Sequence, residues 1–346
     1  MTKPFAFKVG LVYWGKQSGN VANVGDLLRQ LGCKVTHVPF DRPFPDSLDL
    51  IWAFGPYGSL VPVIDQVKRG GQFFVLWMTE QFPAPVIPRP VTRVASWSRT
   101  LLERLVFRRH EDGVLRPLSN GQSWLKTGLR FRYYGDLLWL KQSGVPFLVA
   151  VGSQWITNYL RQDGLDALTG FYGYHEGMGR DLGQERDIPI LWLGKIGTNR
   201  RGKYLQQLRA ELADRGIEIM VIDGVEHPYV FGEARTELLN RTKITVNLLR
   251  REWDNHSMRF YLASANKVMI ISEPTFSHIP LVPGEHFVSA PFAEMADTVC
   301  YYLEHDDERE RIAARAYEKV TTELTMARAT EQILTAVQAK FNESHA

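Results

Sequence analysis

Residues 188–208 read IPILWLGKIGTNRRGKYLQQL, and the change of character along them decides the fold. Ile188 to Leu193 form a short, almost unbroken apolar run, the mark of a strand buried on both faces of a parallel sheet. A glycine-containing turn follows, and then leucines at helical spacing. Strand, turn and helix in that order make one βα unit of an α/β layer. The turn carries Lys195, and the helix opens on Arg200, Arg201 and Lys203. Cations at a helix start oppose its dipole, whereas the free amides there attract an anion that guanidinium groups grip in bidentate fashion. Two readings stand: a phosphate site, or a solvated basic helix face.

Outward from this unit the pattern repeats. IEIMVIDG, KITVNLL and KVMIIS read as further strands, separated by the helices RGKYLQQLRAELADRG, EARTELLNR and SMRFYLASAN. The first half carries the same alternation, with strands FKVGLVYW, KVTHVPF, DLIWAFG, FFVLWMTE and PFLVAVG, and a helix NVGDLLRQLG that stops on Gly32. Two Rossmann-like α/β layers are therefore expected, an N-terminal one over 1–180 and a C-terminal one over 187–325, with a last helix over 326–346. The segment FYGYHEGMGRDLGQERDIP, rich in glycine and charge and poor in aliphatic residues, reads as the linker. The stretches PFAEMADTVCYYLEH, DDERERIAARAYEKV and MARATEQILTAVQAKF each carry one apolar stripe for packing on the sheets.

The chain's 346 residues have room for two domains. Its net charge of +3 is far from the basic footprint of a nucleic-acid-binding protein, so no such partner is expected. Cys33 and Cys300 lie far apart with no metal-site spacing, which fits a reducing, cytoplasmic setting. The opening apolar run is broken by Lys8 and Gly10, too short for a signal segment, and no stretch nears the roughly 20 apolar residues of a membrane span. Between 97 and 141 Arg and Lys interleave with Trp, Phe and Tyr. That insertion reads as a face for an anionic or lipid-linked acceptor, as a peripheral contact with the inner membrane face or a second subunit, or equally as arginines snorkelling over a core.

In an open α/β sheet ligands bind beyond the carboxyl ends of the strands. After KITVNLL come Asp254, His256, Ser257 and Arg259, around the start of the next helix. Capping accounts for Ser257 but not for His256 and Arg259, so together they read as a site for a polyhydroxylated, charged ligand. Glu273 closes the strand KVMIIS, where a carboxylate needs a partner: a sugar or ribose hydroxyl, a backbone cap or a salt bridge. In the first half Gly15, Gly19 and Asn20 belong to a loop open to close backbone approach. Glu80 ends FFVLWMTE as a general-base candidate or a turn residue.

The blocks SQWITNYLRQDG with GYHEG, LGKIGTNRRGKYLQQL, HSMRFYLASANKVMIISEPTFSHIPLVPGEHFV and MADTVCYYLEHDDERERIAARAYEKV cover about half the chain. In order and spacing they resemble glycosyltransferases of the GT-B fold, in the group-1-like and CgeB-like (spore-maturation) branch related to glycosyltransferase family 4. The resemblance implies two Rossmann-like domains facing across a cleft and a final helix that crosses back to the first. It implies a nucleotide diphosphate sugar bound by the C-terminal domain and a hydroxyl-bearing glycan, lipid-linked or small-molecule acceptor on the N-terminal one. Arg201 and Arg200, with Lys195 and Lys203, would then meet the diphosphate. Asp254, His256, Ser257, Met258 and Arg259 would line the donor site, with Glu273 beside it. Retention of configuration follows from the resemblance, with Arg201, His256 and Glu80 as the catalytic candidates and Glu80 the base should the reaction invert. The loops lack the paired carboxylates that would chelate a metal, so neither metal nor cofactor is expected.

Two departures stand out. The family's two glutamates eight positions apart correspond to Asp254 and Leu262, and Leu262 cannot hydrogen-bond a ribose. The glycine usual before the following strand is replaced by Asn266 and Lys267, so a turn of different shape is expected. Leu262 keeps open a non-catalytic nucleotide-sugar or glycan-binding protein. SGNVANVGDLLRQLG is similar in one short loop to polysaccharide pyruvyl transferases, a third reading.

Overall fold

The computed structural model describes residues 5–344 apart from 16–18, 56–57, 80–81, 84, 119–128, 255–257 and 277–279. The chain divides into two units, one of Met1–Phe171 with Thr330–Ala346 and one of Tyr172–Ala329.

The first unit runs β1 (Lys8–Tyr13), α1 (Gly19–Gln30), β2 (Lys34–Pro39), β3 (Leu50–Phe54), α2 (Val61–Gly70), β4 (Phe73–Met78), α3 (Arg89–Leu105), β5 (Phe107–Arg109), β6 (Leu115–Pro117), α4 (Leu129–Gln142), β7 (Phe147–Val151), α5 (Gln154–Arg161) and β8 (Ala167–Thr169). Its main sheet is ordered β2-β1-β3-β4-β7-β8 and is parallel throughout. Strands β3 and β4 are buried at every position, which is why they read as unbroken apolar runs. The stretch between 97 and 141 resolves into α3, the β5–β6 hairpin and α4. Helix α4 is buried from Arg132 to Leu138, and α3 packs along it. The two backbones approach so closely at Gly135 that a Cβ there would sit 2.1 Å from the Ser96 carbonyl oxygen.

The second unit runs β9 (Ile188–Leu193), α6 (Asn199–Ala213), β10 (Ile219–Ile222), α7 (Gly232–Asn240), β11 (Thr242–Asn247), α8 (Met258–Ala265), β12 (Met269–Ser272), β13 (Val288–Ser289), α9 (Met295–Glu304) and α10 (Asp306–Glu318). The last helix, α11 (Met326–Ser344), starts here and counts with the first unit from Thr330 onward. The sheet is ordered β10-β9-β11-β12-β13 and again parallel. In that order the chain reverses direction between β9 and β11, the place where open α/β sheets leave a crevice for ligand.

Two expectations need correction. The glycine-rich segment read as a linker folds onto the second unit, and the division falls at Phe171 and Tyr172, ahead of the expected 180. Asn266 donates to the Met178 carbonyl at 3.0 Å, Asn240 to that of Arg180 at 2.8 Å, and Arg186 to those of Leu239 and Thr242. Buried amides thus order a stretch whose composition alone reads as mobile. Second, the turn before β12 keeps the shape a glycine would take, because Lys267 adopts the left-handed conformation at φ 55°. An ion pair to Asp181 at 3.1 Å and the Lys267 amide bond to the Ser264 carbonyl hold it there.

Candidate functional site

Strand β9 ends at Leu193 and β11 at Asn247, and the turns leaving them meet at the crevice of the second sheet. Gly194 and Gly197 have φ of 111° and 74°, values that side-chain-bearing residues rarely adopt. Thr198 caps α6, its hydroxyl accepting the Arg201 amide at 3.3 Å.

The cations gather around this turn. Arg201 is 5% exposed, donating through Nε to the Leu248 carbonyl at 2.8 Å and through one terminal nitrogen to those of Lys195 and Ile196. Arg259 reaches in from α8, donating to the Leu193 carbonyl at 3.0 Å and to Asn247 Oδ1 at 2.7 Å. Both guanidiniums lie over the Trp192 ring, at 5.5 and 4.4 Å. A Cβ on Gly194 would stand 3.6 Å from Arg259, and one on Gly197 would stand 3.9 Å from Arg250. Burial, and behind it the Arg250 charge, pushes Arg201 down to about 10. Burial and the charges of Arg201 and Arg250 push Arg259 down as well. Positive charge is concentrated here at a cost that a bound anion would repay.

Arg200 is occupied differently. It forms a bidentate pair with Glu273 at 3.0 and 2.5 Å, donates to the Leu249 carbonyl at 2.8 Å, and stacks over Tyr204 at 4.4 Å. Glu273 also accepts the Leu249 amide at 2.7 Å. Of the readings open for Glu273, the salt bridge and the backbone cap are both found, with both carboxylate oxygens engaged. Asp254 closes the turn after β11 by accepting the amides of Arg250 and Arg251 at 2.9 and 3.3 Å, and burial raises its pKa.

Lys195, Arg200, Arg201, Asp254, Arg259 and Glu273 therefore come together around one crevice. Lys203 and Met258 are exposed on α6 and α8. Glu80, His256 and Ser257 lie outside the described residues. Gly15, Gly19 and Asn20 belong to the first unit, where β1 gives way to α1 beside β3, at that sheet's own reversal point. Trp192, Asn247 and Arg250 were not expected. Arg250 was within reach of sequence reasoning because it follows directly on a strand end, but the inward turn of Trp192 and Asn247 depends on the pairing of β9 with β11. Among the described residues no three His, Cys, Asp or Glu side chains group as metal ligands.

Solved structures similar to this chain include HepE of Anabaena in complex with UDP and glucose, with TM-score 0.60 and 12% identity over 96% of this chain and 100% of that one. Sucrose-phosphate synthase of Thermosynechococcus elongatus is similar with TM-score 0.59 and 10% identity over 97% and 100%. The pneumococcal O-GlcNAc transferase GtfA in complex with UDP and GlcNAc follows with TM-score 0.55 and 8% identity over 84% and 56%. The fold is GT-B. Residues 200–335 of this GT-B chain also match the family described as glycosyl transferase-like, a span that opens on Arg200 and takes in Arg201, Arg250, Arg259 and Glu273. No curated protein matches the chain in sequence.

Proposed function

We propose that this protein transfers a sugar from a nucleotide diphosphate donor to a hydroxyl-bearing acceptor, as a member of the group-1-like and CgeB-like branch. The observation that carries the proposal is the convergence of Arg201, Arg250 and Arg259 on the Gly194–Gly197 turn at the sheet's reversal point. The glycosyl transferase-like match over the same residues supports it, and so does the UDP held by HepE and GtfA. In transfer, the bond from the anomeric carbon to the diphosphate oxygen breaks and the acceptor oxygen takes its place. The acceptor proton leaves with the diphosphate in a retaining reaction, the course we favour, or passes to a base such as Glu80 in an inverting one. Charge grows on the leaving diphosphate, where fixed guanidiniums and the amides at the start of α6 stabilise it without rearranging, in the role a metal ion fills elsewhere. Positioning supplies much of the remainder.

A second reading, nucleotide-sugar binding without turnover, is supported by Leu262, which packs half-buried against the apolar cluster around Tyr261 and offers a ligand no side-chain hydrogen bond. Calorimetric titration with UDP, GDP, dTDP and CDP sugars, followed by hydrolysis and transfer assays, separates the two. Binding with turnover supports transfer, binding alone the second reading, and a chain that binds none of the panel refutes both.

A further inference from the structure

Helix α3 is built inside out. Its buried face, against α4, is polar: Thr92, Ser96, Arg99, Thr100 and Glu103 are all shielded from solvent. Its outer face is aliphatic, with Val91, Val94, Leu101, Leu102 and Leu105 exposed by 55, 67, 52, 53 and 69%. At 100° per residue these five fall within a stripe about 100° wide, and from first to last the stripe runs about 21 Å along the helix. Exposed Ser98 divides the stripe into a valine pair and a leucine trio, and exposed apolar surface of this kind marks a face that docks on something.

We infer that α3 lays this stripe into the interfacial region of an anionic lipid bilayer. Its exposed arginines decide between partners. Arg104 is exposed on one flank and Arg108 follows just beyond the helix, while Arg93 is taken up by the buried Asp163; the only carboxylate of α3, Glu103, is buried in an ion pair with Arg99 and Arg132. A second copy docking through the same face would set like charges against each other with no carboxylate on the helix to relieve them. Lipid phosphates meet the arginines while the aliphatic side chains enter the acyl boundary, the arrangement of an interfacial helix. No described helix is long and apolar enough to cross a membrane, so the contact is peripheral as far as these helices go.

Co-sedimentation of the full chain with vesicles tests the inference. The protein should pellet with phosphatidylcholine vesicles containing one quarter phosphatidylglycerol, much less with phosphatidylcholine alone, and less again in high salt. Leu101→Glu with Leu105→Glu changes two exposed positions, so the fold should survive by circular dichroism while vesicle affinity drops about 100-fold or more. Arg104→Gln and Arg108→Gln should each cost about fivefold. Nucleotide-sugar affinity should be unaltered by all of these, which separates this test from that of the proposed reaction. Absence of vesicle binding, or equal binding by the leucine double variant, overturns the inference. So does a wild-type dimer in light scattering that the double variant turns into a monomer, since the stripe then belongs to a second copy.

Discussion

Arg201 spends three hydrogen bonds on main-chain carbonyls, and in doing so shapes the turn that receives the proposed diphosphate. Arg201→Ala should weaken nucleotide diphosphate binding about tenfold or more, since a charge-assisted bond is worth about 1.5–3 kcal/mol. Arg201→Lys should not restore it, because one ammonium cannot reproduce the planar fork. Calorimetry on variants that unfold like the wild type checks both, and unchanged affinity in Arg201→Ala would sink this placement of the phosphates. Lys267, at the opposite end of the same sheet, offers a stability test. At φ 55° a β-branched side chain is strained and glycine is not, so Lys267→Val should be less stable than Lys267→Gly by about 1–2 kcal/mol in urea unfolding. Equal midpoints would show that the turn relaxes. Arg200, Arg201 and Arg259 were legible in the sequence because each follows a strand near the start of a helix, whereas Arg250 was passed over. A salt bridge was one option for Glu273, but Arg200 as its partner was not legible, since the two lie far apart in the chain.

The pairing of α3 with α4 shows how an element changes meaning once its neighbour is known. Read alone, the arginines between 97 and 141 suit a ligand or membrane face. In the fold, Arg99 and Arg132 are buried on Glu103, while Arg104 stacks over Trp139 at 4.6 Å. The snorkelling reading is closest for Arg104, and for the other two the answer is a buried ion cluster. Asp136 lies in the same cluster and accepts the Thr100 hydroxyl at 2.9 Å; burial, reinforced by the Glu103 charge, pushes its pKa up to about 8. Between the ordinary aspartate range near pH 4 and pH 8, the folded protein holds this proton and the unfolded chain does not. Stability contributed here is therefore lost as pH rises through that window, by at most about 1.4 kcal/mol per pH unit. Asp136→Asn should flatten the decline, measured as urea midpoints at pH 5 and pH 8; an unchanged slope would mean the carboxyl is already ionised. Gly135→Ala should cost about 1–3 kcal/mol by forcing the helices apart.

Across the whole molecule, α11 gives the clearest test of how the chain closes. Its far end places Phe341 between Phe7 and Phe73, at 5.1 and 5.4 Å, so the last turns of the chain pack at the amino ends of its first and fourth strands. Phe341→Ala should lower stability by about 2–3 kcal/mol in denaturant unfolding. A loss below about 0.5 kcal/mol would show that this end frays at no cost. Two parallel α/β layers could be read directly from residue order, because a strand covered on both faces must be apolar throughout and its following helix must carry one apolar stripe. Those are local constraints, repeated in every βα unit. The glycine turn and its arginines were readable for the same reason, as a strand end running straight into a helix start. Which cations share a carboxylate, which amides pin the glycine-rich segment, and why α3 faces outward with leucines depend on residues dozens to a hundred positions apart. Composition carries no record of such distances, and the partners are chosen only when the sheets assemble.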